Sequence, residues 1–174
     1  NWEGKTILNR TAKPILGEDA QEQELAEARE ILLKIRNKRI WPLWDDKILA
    51  DWNGLMITAL VKAGTVFEEL KWIAAAKSAF SFVQDTMTQD GRLKHTWREG
   101  RLHYMAVLDD YANMSMAAIT LYEYTGEQVY IDQAIEWVSQ ADDEYWDSEN
   151  GGYFLTSNNA TDVITRSKTV MDNA

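Results

Sequence analysis

The feature that most constrains this chain is an internal repeat of helix pairs. An apolar segment with helical spacing begins at Asp51, and a second one begins at Asp109, 58 residues later. At the same offset, residues 72–73 (Trp-Ile) align with residues 130–131 (Tyr-Ile) in the amphipathic segments that follow. One apolar and one amphipathic helix therefore recur about every 60 residues, which is typical of α-hairpin repeat proteins. The next such start is Asp172, near the end of the sequence.

The hydrophobic periodicity predicts an all-α fold with five helices, over residues 18–38, 51–67, 70–87, 109–125 and 128–142. The second and fourth are apolar nearly all round, which predicts buried inner helices. The amphipathic ones would form an outer ring. Alternating residues also predict short β-hairpins in two connections, one over 88–107 and one pairing 153–156 with 163–166. Two and a half hairpins cannot close a ring, so we expect residues 1–174 to form a partial toroid domain with an apolar edge.

The lengths of the connections indicate where a ligand would bind. The inner-to-outer turns near 67–70 and 125–128 are short, whereas the outer-to-inner loops 39–50, 88–108 and 143–170 are long. In a ring of hairpins, connections of one type lie on the same face, so the long loops gather at the N-termini of the inner helices. Helix–helix connections usually have roughly 2–8 residues, and longer loops are commonly functional. This face is the predicted binding face.

Three residues at this face are candidate catalytic groups. Asp109 and Asp110 form a carboxylate pair at the start of an inner helix, and only one of them can cap it. Paired carboxylates in a partly buried site can take the acid and base roles that sugar chemistry requires. His95 lies in the predicted hairpin and is a possible second acid or base. The alternative for each aspartate is a plain helix cap, and for His95 a half-buried structural side chain.

Further residues in or next to the long loops are predicted to contact a ligand. Aromatic rings stack on sugar rings, although they also fill helical cores. The aromatic candidates are Trp52, Trp97, Tyr111, Tyr153 and Phe154. The polar candidates are Asp46, Lys47, Asn53, Arg166, Lys168 and Asp172.

Composition limits the other classes of function. The net charge of −10 argues against nucleic-acid binding, which needs clustered basic residues. The chain has no cysteine, and its two histidines are eight residues apart, so we predict neither a metal site nor a cofactor. No apolar run is long enough for a membrane helix, and there is no signal peptide, so a cytoplasmic location is expected.

Several strings of residues resemble one family. They are Asn1-Trp-Glu-Gly-Lys5, Asp45-Asp-Lys-Ile-Leu-Ala-Asp-Trp-Asn-Gly-Leu-Met56, Leu108-Asp-Asp-Tyr-Ala112 and Gly151-Gly-Tyr-Phe154, followed by Arg166, Lys168 and Asp172. In this order they resemble the YyaL-type proteins, also called the spermatogenesis-associated protein 20 or DUF255 family. The resemblance implies a thioredoxin-like domain, absent here, followed by an (α/α)6 toroid similar to N-acylglucosamine 2-epimerases and six-hairpin glycosidases. This chain would be about half of that toroid.

Two functions follow as hypotheses. The first is a carbohydrate-active toroid, either a sugar epimerase or a glycoside hydrolase, whose small polar ligand binds among the aromatic residues. In this case the fragment alone would be inactive without the second half of the toroid. The second is a non-catalytic scaffold or binding module that accompanies the thioredoxin-like domain, with the aspartates acting only as caps. The resemblance implies that epimerases of this fold use histidines from late inner helices, so their presence in a complete chain would separate the two.

Overall fold

The computed structural model describes Gly4 and residues 8–169, which divide into one compact unit up to Asp45 and a second from Asp46 onward. The described helices and strands are α1 (Asp19–Arg36), β1 (Ile48–Leu49), α2 (Ala50–Val66), α3 (Leu70–Thr86), β2 (Thr88–Gln89), β3 (Arg92–Arg98), β4 (Arg101–Met105), α4 (Leu108–Thr125) and α5 (Gln128–Tyr145). The mostly helical repeat is confirmed, while the predicted helix start at Asp172 lies outside the described residues. No described helix is long and apolar enough to cross a membrane.

The first unit consists of α1 and the described segments on either side of it, up to Asp45. The guanidinium of Arg10 bonds both carboxylate oxygens of Glu22 at 2.7 and 2.8 Å, which together with the Gly17 N–H lowers the pKa of Glu22 to about 2. The apolar residues of α1 that predicted an amphipathic helix, among them Leu32 and Ile35, are largely exposed.

In the second unit, α2 and α4 lie side by side, α3 packs on α2, and α5 packs on α4. This is the predicted arrangement of two inner and two outer helices. Gly54 allows the inner helices a close approach, because a Cβ at this position would lie 2.6 Å from the Asn113 carbonyl carbon. The prediction that α2 is buried all round is wrong, since Leu55 and Met56 are more than half exposed.

The predicted hairpin over 88–107 is confirmed as β3 and β4, joined by a two-residue turn at Glu99 and Gly100 that both have positive φ. β3 also pairs with β1 and β2, so four short antiparallel strands form a small sheet. The register pairs Lys94 with Met105 and Thr96 with His103.

The second predicted hairpin is wrong. Residues 153–156 and 163–166 form no regular strands, and the described ladder contact there is an isolated bridge between Trp146 and Tyr153. Side-chain hydrogen bonds replace the strand ladder: the Arg166 guanidinium donates to the carbonyl oxygens of Thr156 and Glu144, both at 2.9 Å. A basic side chain that satisfies carbonyl groups removes the need for a paired strand.

Candidate functional site

A buried carboxylate, Asp110, connects the N-termini of the two inner helices. Its Oδ2 accepts the N–H of Val107, the residue that precedes α4, at 2.8 Å. Its Oδ1 accepts the N–H of Asp51 in the first turn of α2 at 2.9 Å. One side chain thus satisfies orphan N–H groups of two helices and lies where the positive ends of their dipoles meet. This is why a carboxylate is stable at a fully buried position.

His95 on β3 completes the surroundings of this carboxylate. Its Nδ1 lies 3.0 and 2.9 Å from the two oxygens of Asp110. An ionised carboxylate only accepts hydrogen bonds, so Nδ1 carries the proton and Nε2 is the nitrogen that can exchange a proton with a ligand. The hydrogen bond to Asp110 raises the pKa of His95; burial opposes the rise, and the negative charges of Asp110 and Asp51 add to it. The protonated form of the half-buried imidazole is therefore stabilised by its two carboxylate neighbours.

A second carboxylate, Asp51, lies beside this pair. Ligand atoms of Asp51, His95 and Asp110 all lie within 4.8 Å of one another. Burial raises the pKa of Asp51, the neighbouring charge of Asp110 raises it further, and the hydrogen bond from the Trp52 N–H, at 2.7 Å, partly offsets both effects. The two carboxylates thus have different surroundings: Asp110 is held by backbone N–H groups, and Asp51 has a raised pKa. Acid–base catalysis uses pairs of carboxylates that differ in this way.

The sequence predicted Asp109 as the carboxylate partner of Asp110, but the structure places Asp51 there. Asp109 is exposed, whereas the carboxylate that joins Asp110 and His95 is Asp51 from the other inner helix. The repeat could have indicated Asp51 as a site residue, because Asp51 and Asp109 begin equivalent helices. The charge of Asp109 also contributes to the raised pKa of Asp51.

Several predicted polar residues surround this cluster or support its backbone. Lys47 is exposed and close enough to His95 to oppose the rise of its pKa. Asp46 pairs with Arg98 of β3 at 2.5 Å on the surface. The amide of Asn53 donates to the Leu49 carbonyl oxygen at 2.8 Å, which fixes the entry into α2.

The predicted aromatic residues divide into surface and core. Trp52 is 54% exposed in the first turn of α2, next to Asp51. In contrast, Tyr111 is buried against Tyr145, and burial raises its pKa to about 12. Trp97 packs edge-on against Phe82 of α3, with ring centroids 5.4 Å apart. Tyr111 and Trp97 thus fill space between packed elements, and their contact with a ligand stays a prediction.

The predicted residues of the last long loop hold that loop together. The Lys168 ammonium bonds Asp147 Oδ2 at 2.6 Å, and the Arg166 guanidinium stacks 4.1 Å from the ring of Phe154. Tyr153 packs against Trp146 and donates its hydroxyl hydrogen to Asp142. These contacts are within the loop and α5, and the predicted contact of Arg166 and Lys168 with a ligand stays a prediction. Asp172 lies outside the described residues.

Among the described residues, Asp51, His95 and Asp110 are also the group that could hold a cation, by the closeness of their ligand atoms. In the structure both oxygens of Asp110 accept backbone N–H groups and face the imidazole. The geometry found is that of a hydrogen-bonded histidine–carboxylate pair.

No protein-family model matches the sequence. The chain is similar to an uncharacterised protein of Caenorhabditis elegans, with 32% identity over 148 residues that cover 80% of this chain and 20% of the relative. It is also similar to spermatogenesis-associated protein 20 of Rattus norvegicus, with 31% identity over 156 residues that cover 83% of this chain and 20% of the relative. The chain thus spans about a fifth of the length of these relatives. These homologues support the family resemblance of the sequence motifs.

Two solved structures share the fold. Cellobiose 2-epimerase from Spirochaeta thermophila has a TM-score of 0.57 with 13% identity, over 63% of this chain and 28% of its own. A GH76 α-mannanase from Bacteroides thetaiotaomicron has a TM-score of 0.55 with 19% identity, over 78% of this chain and 42% of its own. Both are (α/α)6 toroid enzymes, so the fold of the chain is part of such a toroid.

Proposed function

We propose that the loop face of the second unit binds a carbohydrate-type small polar ligand and that His95 exchanges a proton with it. The observation that carries this proposal is the hydrogen bond between His95 and the buried Asp110. Asp110 accepts a hydrogen bond from the Nδ1–H of His95. This bond fixes the orientation of the ring and stabilises the imidazolium form. Asp51 is the second carboxylate, with its raised pKa as the complementary acid or base.

This arrangement suits both reactions suggested by the fold. An epimerase removes a proton from a sugar carbon and returns one to the opposite face, which requires two groups that exchange protons. A glycoside hydrolase protonates the leaving oxygen with one group and uses a carboxylate for the other role. The exposed indole of Trp52, adjacent to Asp51 in sequence, offers a stacking surface for a sugar ring.

The named activities of the similar structures support a sugar rather than another polar ligand. One acts on cellobiose and the other on an α-mannan, according to their names. We further propose that residues 1–174 belong to one YyaL-type (DUF255) chain, in which a thioredoxin-like domain and the second half of the toroid accompany this part.

The test compares His95→Gln with His103→Gln, which removes an exposed histidine from the neighbouring strand. Cellobiose and an α-mannobiose are incubated in D2O with the full-length protein that contains this chain. Deuterium incorporation, epimer formation and release of monosaccharide are then followed by NMR and chromatography. We expect His95→Gln to lower turnover by roughly 100-fold or more, as for loss of a general acid or base, and His103→Gln to leave turnover unchanged.

Binding affinity and melting temperature are measured on the same variants. If His95→Gln lowers the melting temperature but binds and converts sugars as the wild type does, the cluster is structural, and the proposed proton exchange by His95 is refuted. A wild-type protein that neither binds nor converts either disaccharide refutes the proposal. Asp110→Asn is a poorer probe, because its amide would present N–H groups to the backbone donors of Val107 and Asp51.

A further inference from the structure

Tyr104 on β4 has a backbone conformation that a tyrosine rarely adopts. Its φ is +58°, in the left-handed region where the Cβ of a bulky residue is close to the following carbonyl oxygen. Strain of this kind persists only when the surrounding structure imposes it, and it concentrates at functional sites. Burial of the side chain does not account for it, because the Tyr104 ring is 73% exposed. Tyr104 therefore combines a left-handed backbone conformation with a ring that lies mostly in solvent.

The position of Tyr104 in the sheet connects it to the cluster described above. The flanking pairs are Lys94 with Met105 and Thr96 with His103, so the register brings Tyr104 opposite His95. A left-handed residue within a ladder re-aims its side chain and ends regular pairing locally, as bulges next to active sites do. The His103 ring is next to it, with ring centroids 6.2 Å apart.

We infer that Tyr104 is a ligand-contacting residue of the His95 site and that its exposed ring stacks against the C–H face of a sugar. The inference rests on the proposed function and adds a binding residue from the strand opposite the proton-transfer group. A sugar ring has one face of C–H groups and a rim of hydroxyls, so its C–H face can pack on the phenol ring while the hydroxyls remain in solvent. A rigid aromatic side chain provides this contact with little loss of side-chain entropy.

Four variants separate stacking from strain. Tyr104→Phe and Tyr104→Trp keep a ring, whereas Tyr104→Asn and Tyr104→Ala remove it. Asparagine tolerates the left-handed conformation and alanine does not, so the two non-aromatic variants differ in strain but not in stacking. Tyr124→Ala is the matched control, because Tyr124 is also exposed (41%) but lies in the last turn of α4, at the opposite end of that helix from Asp110.

Cellobiose and an α-mannobiose are titrated by calorimetry into the full-length protein that contains this chain, and the melting temperature of each variant is recorded. We expect Tyr104→Asn and Tyr104→Ala to raise Kd by roughly three- to tenfold, the range that one aromatic contact supplies. Tyr104→Phe, Tyr104→Trp and Tyr124→Ala should stay within roughly twofold of the wild type. Tyr104→Asn should melt about 2–4 °C above Tyr104→Ala, because only asparagine relieves the strain.

Wild-type affinity in Tyr104→Asn and Tyr104→Ala overturns the inference, because the strained tyrosine would then have no part in binding. If that result comes with a large loss of turnover in His95→Gln, the inference fails while the proposed function stands. A wild-type protein that binds neither disaccharide refutes both. Weaker binding in all four Tyr104 variants, including those with a ring, would show that the strand conformation rather than stacking is required, and would also overturn the inference.

Discussion

The close contact between the inner helices gives the sharpest prediction for stability. In Gly54→Ala, the new Cβ would lie 2.6 Å from the carbonyl carbon of Asn113, 2.7 Å from its oxygen and 2.9 Å from the nitrogen of Met114. Ordinary contact begins at 3.4 Å, so α2 and α4 must separate by about 0.8 Å at this point. Both obstructing groups are backbone, which cannot rotate away as a side chain can.

The expected cost follows from three effects. Overpacking of a well-packed contact costs about 1–3 kcal/mol. Replacing glycine by alanine inside a helix stabilises the folded state by up to ~1 kcal/mol through its higher helix propensity. Separation of the helices also stretches the hydrogen bond from the Asp51 N–H to Asp110, which is one turn away and contributes about 1 kcal/mol. We therefore expect a net loss of roughly 1–3 kcal/mol and a fall in melting temperature of about 3–8 °C.

Gly64→Ala is the control, because it makes the same substitution in the same helix. There the new Cβ would lie 2.6 Å from Ile73 Cγ1 and 3.2 Å from the Glu69 carbonyl oxygen, so its closest obstacle is a side chain and its backbone obstacle is more distant than in Gly54→Ala. The two variants are compared by guanidinium denaturation, and the pKa of His95 is followed by NMR. A Gly54→Ala protein as stable as Gly64→Ala would show that the inner helices are not in close backbone contact, and would refute the reasoning.

Two further predictions concern buried polar groups. Because the folded pKa of His95 is raised, its contribution to stability is complete below the unfolded pKa of about 6.5 and is lost as the pH rises through the folded value. The unfolding free energy of the wild type should therefore fall more steeply above about pH 6.5 than that of His95→Gln, and equal slopes would contradict the assignment. Tyr145→Phe should cost about 1–3 kcal/mol in a denaturant titration, because the buried hydroxyl donates to the Ala106 carbonyl oxygen at 2.6 Å; an unchanged midpoint would mean that water replaces it.

The helices could be predicted from the sequence because their signals are local. Apolar periodicity and the glycine at 126 gave the inner helix as 109–125, and the structure has Leu108–Thr125 with Gly126 in the left-handed conformation. The second hairpin could not be predicted reliably, since alternation over four residues does not show that an arginine side chain will satisfy the carbonyl groups.

The site was predictable only in part for a similar reason. His95 and Asp110 belong to chemically suggestive residue types, and their loop positions indicated one face. The partner carboxylate depends on which inner helices touch, and this is set by a packing contact 59 residues apart in sequence. The burial of Tyr111 likewise depends on tertiary packing. An aromatic residue at the start of an inner helix can point either into the core or toward the loops.

The hydrogen bonds of Asp110 also bear on the order of folding. Each hairpin makes mostly local contacts and can form early, whereas the bond from the Asp51 N–H to Asp110 joins two hairpins and exists only after they dock. Before docking, Asp110 lacks the hydrogen bond from Asp51, although His95 is only 15 residues away and can contact it locally. The three-residue cluster is therefore complete only when the two hairpins dock, so a partly folded chain with intact helices would lack it.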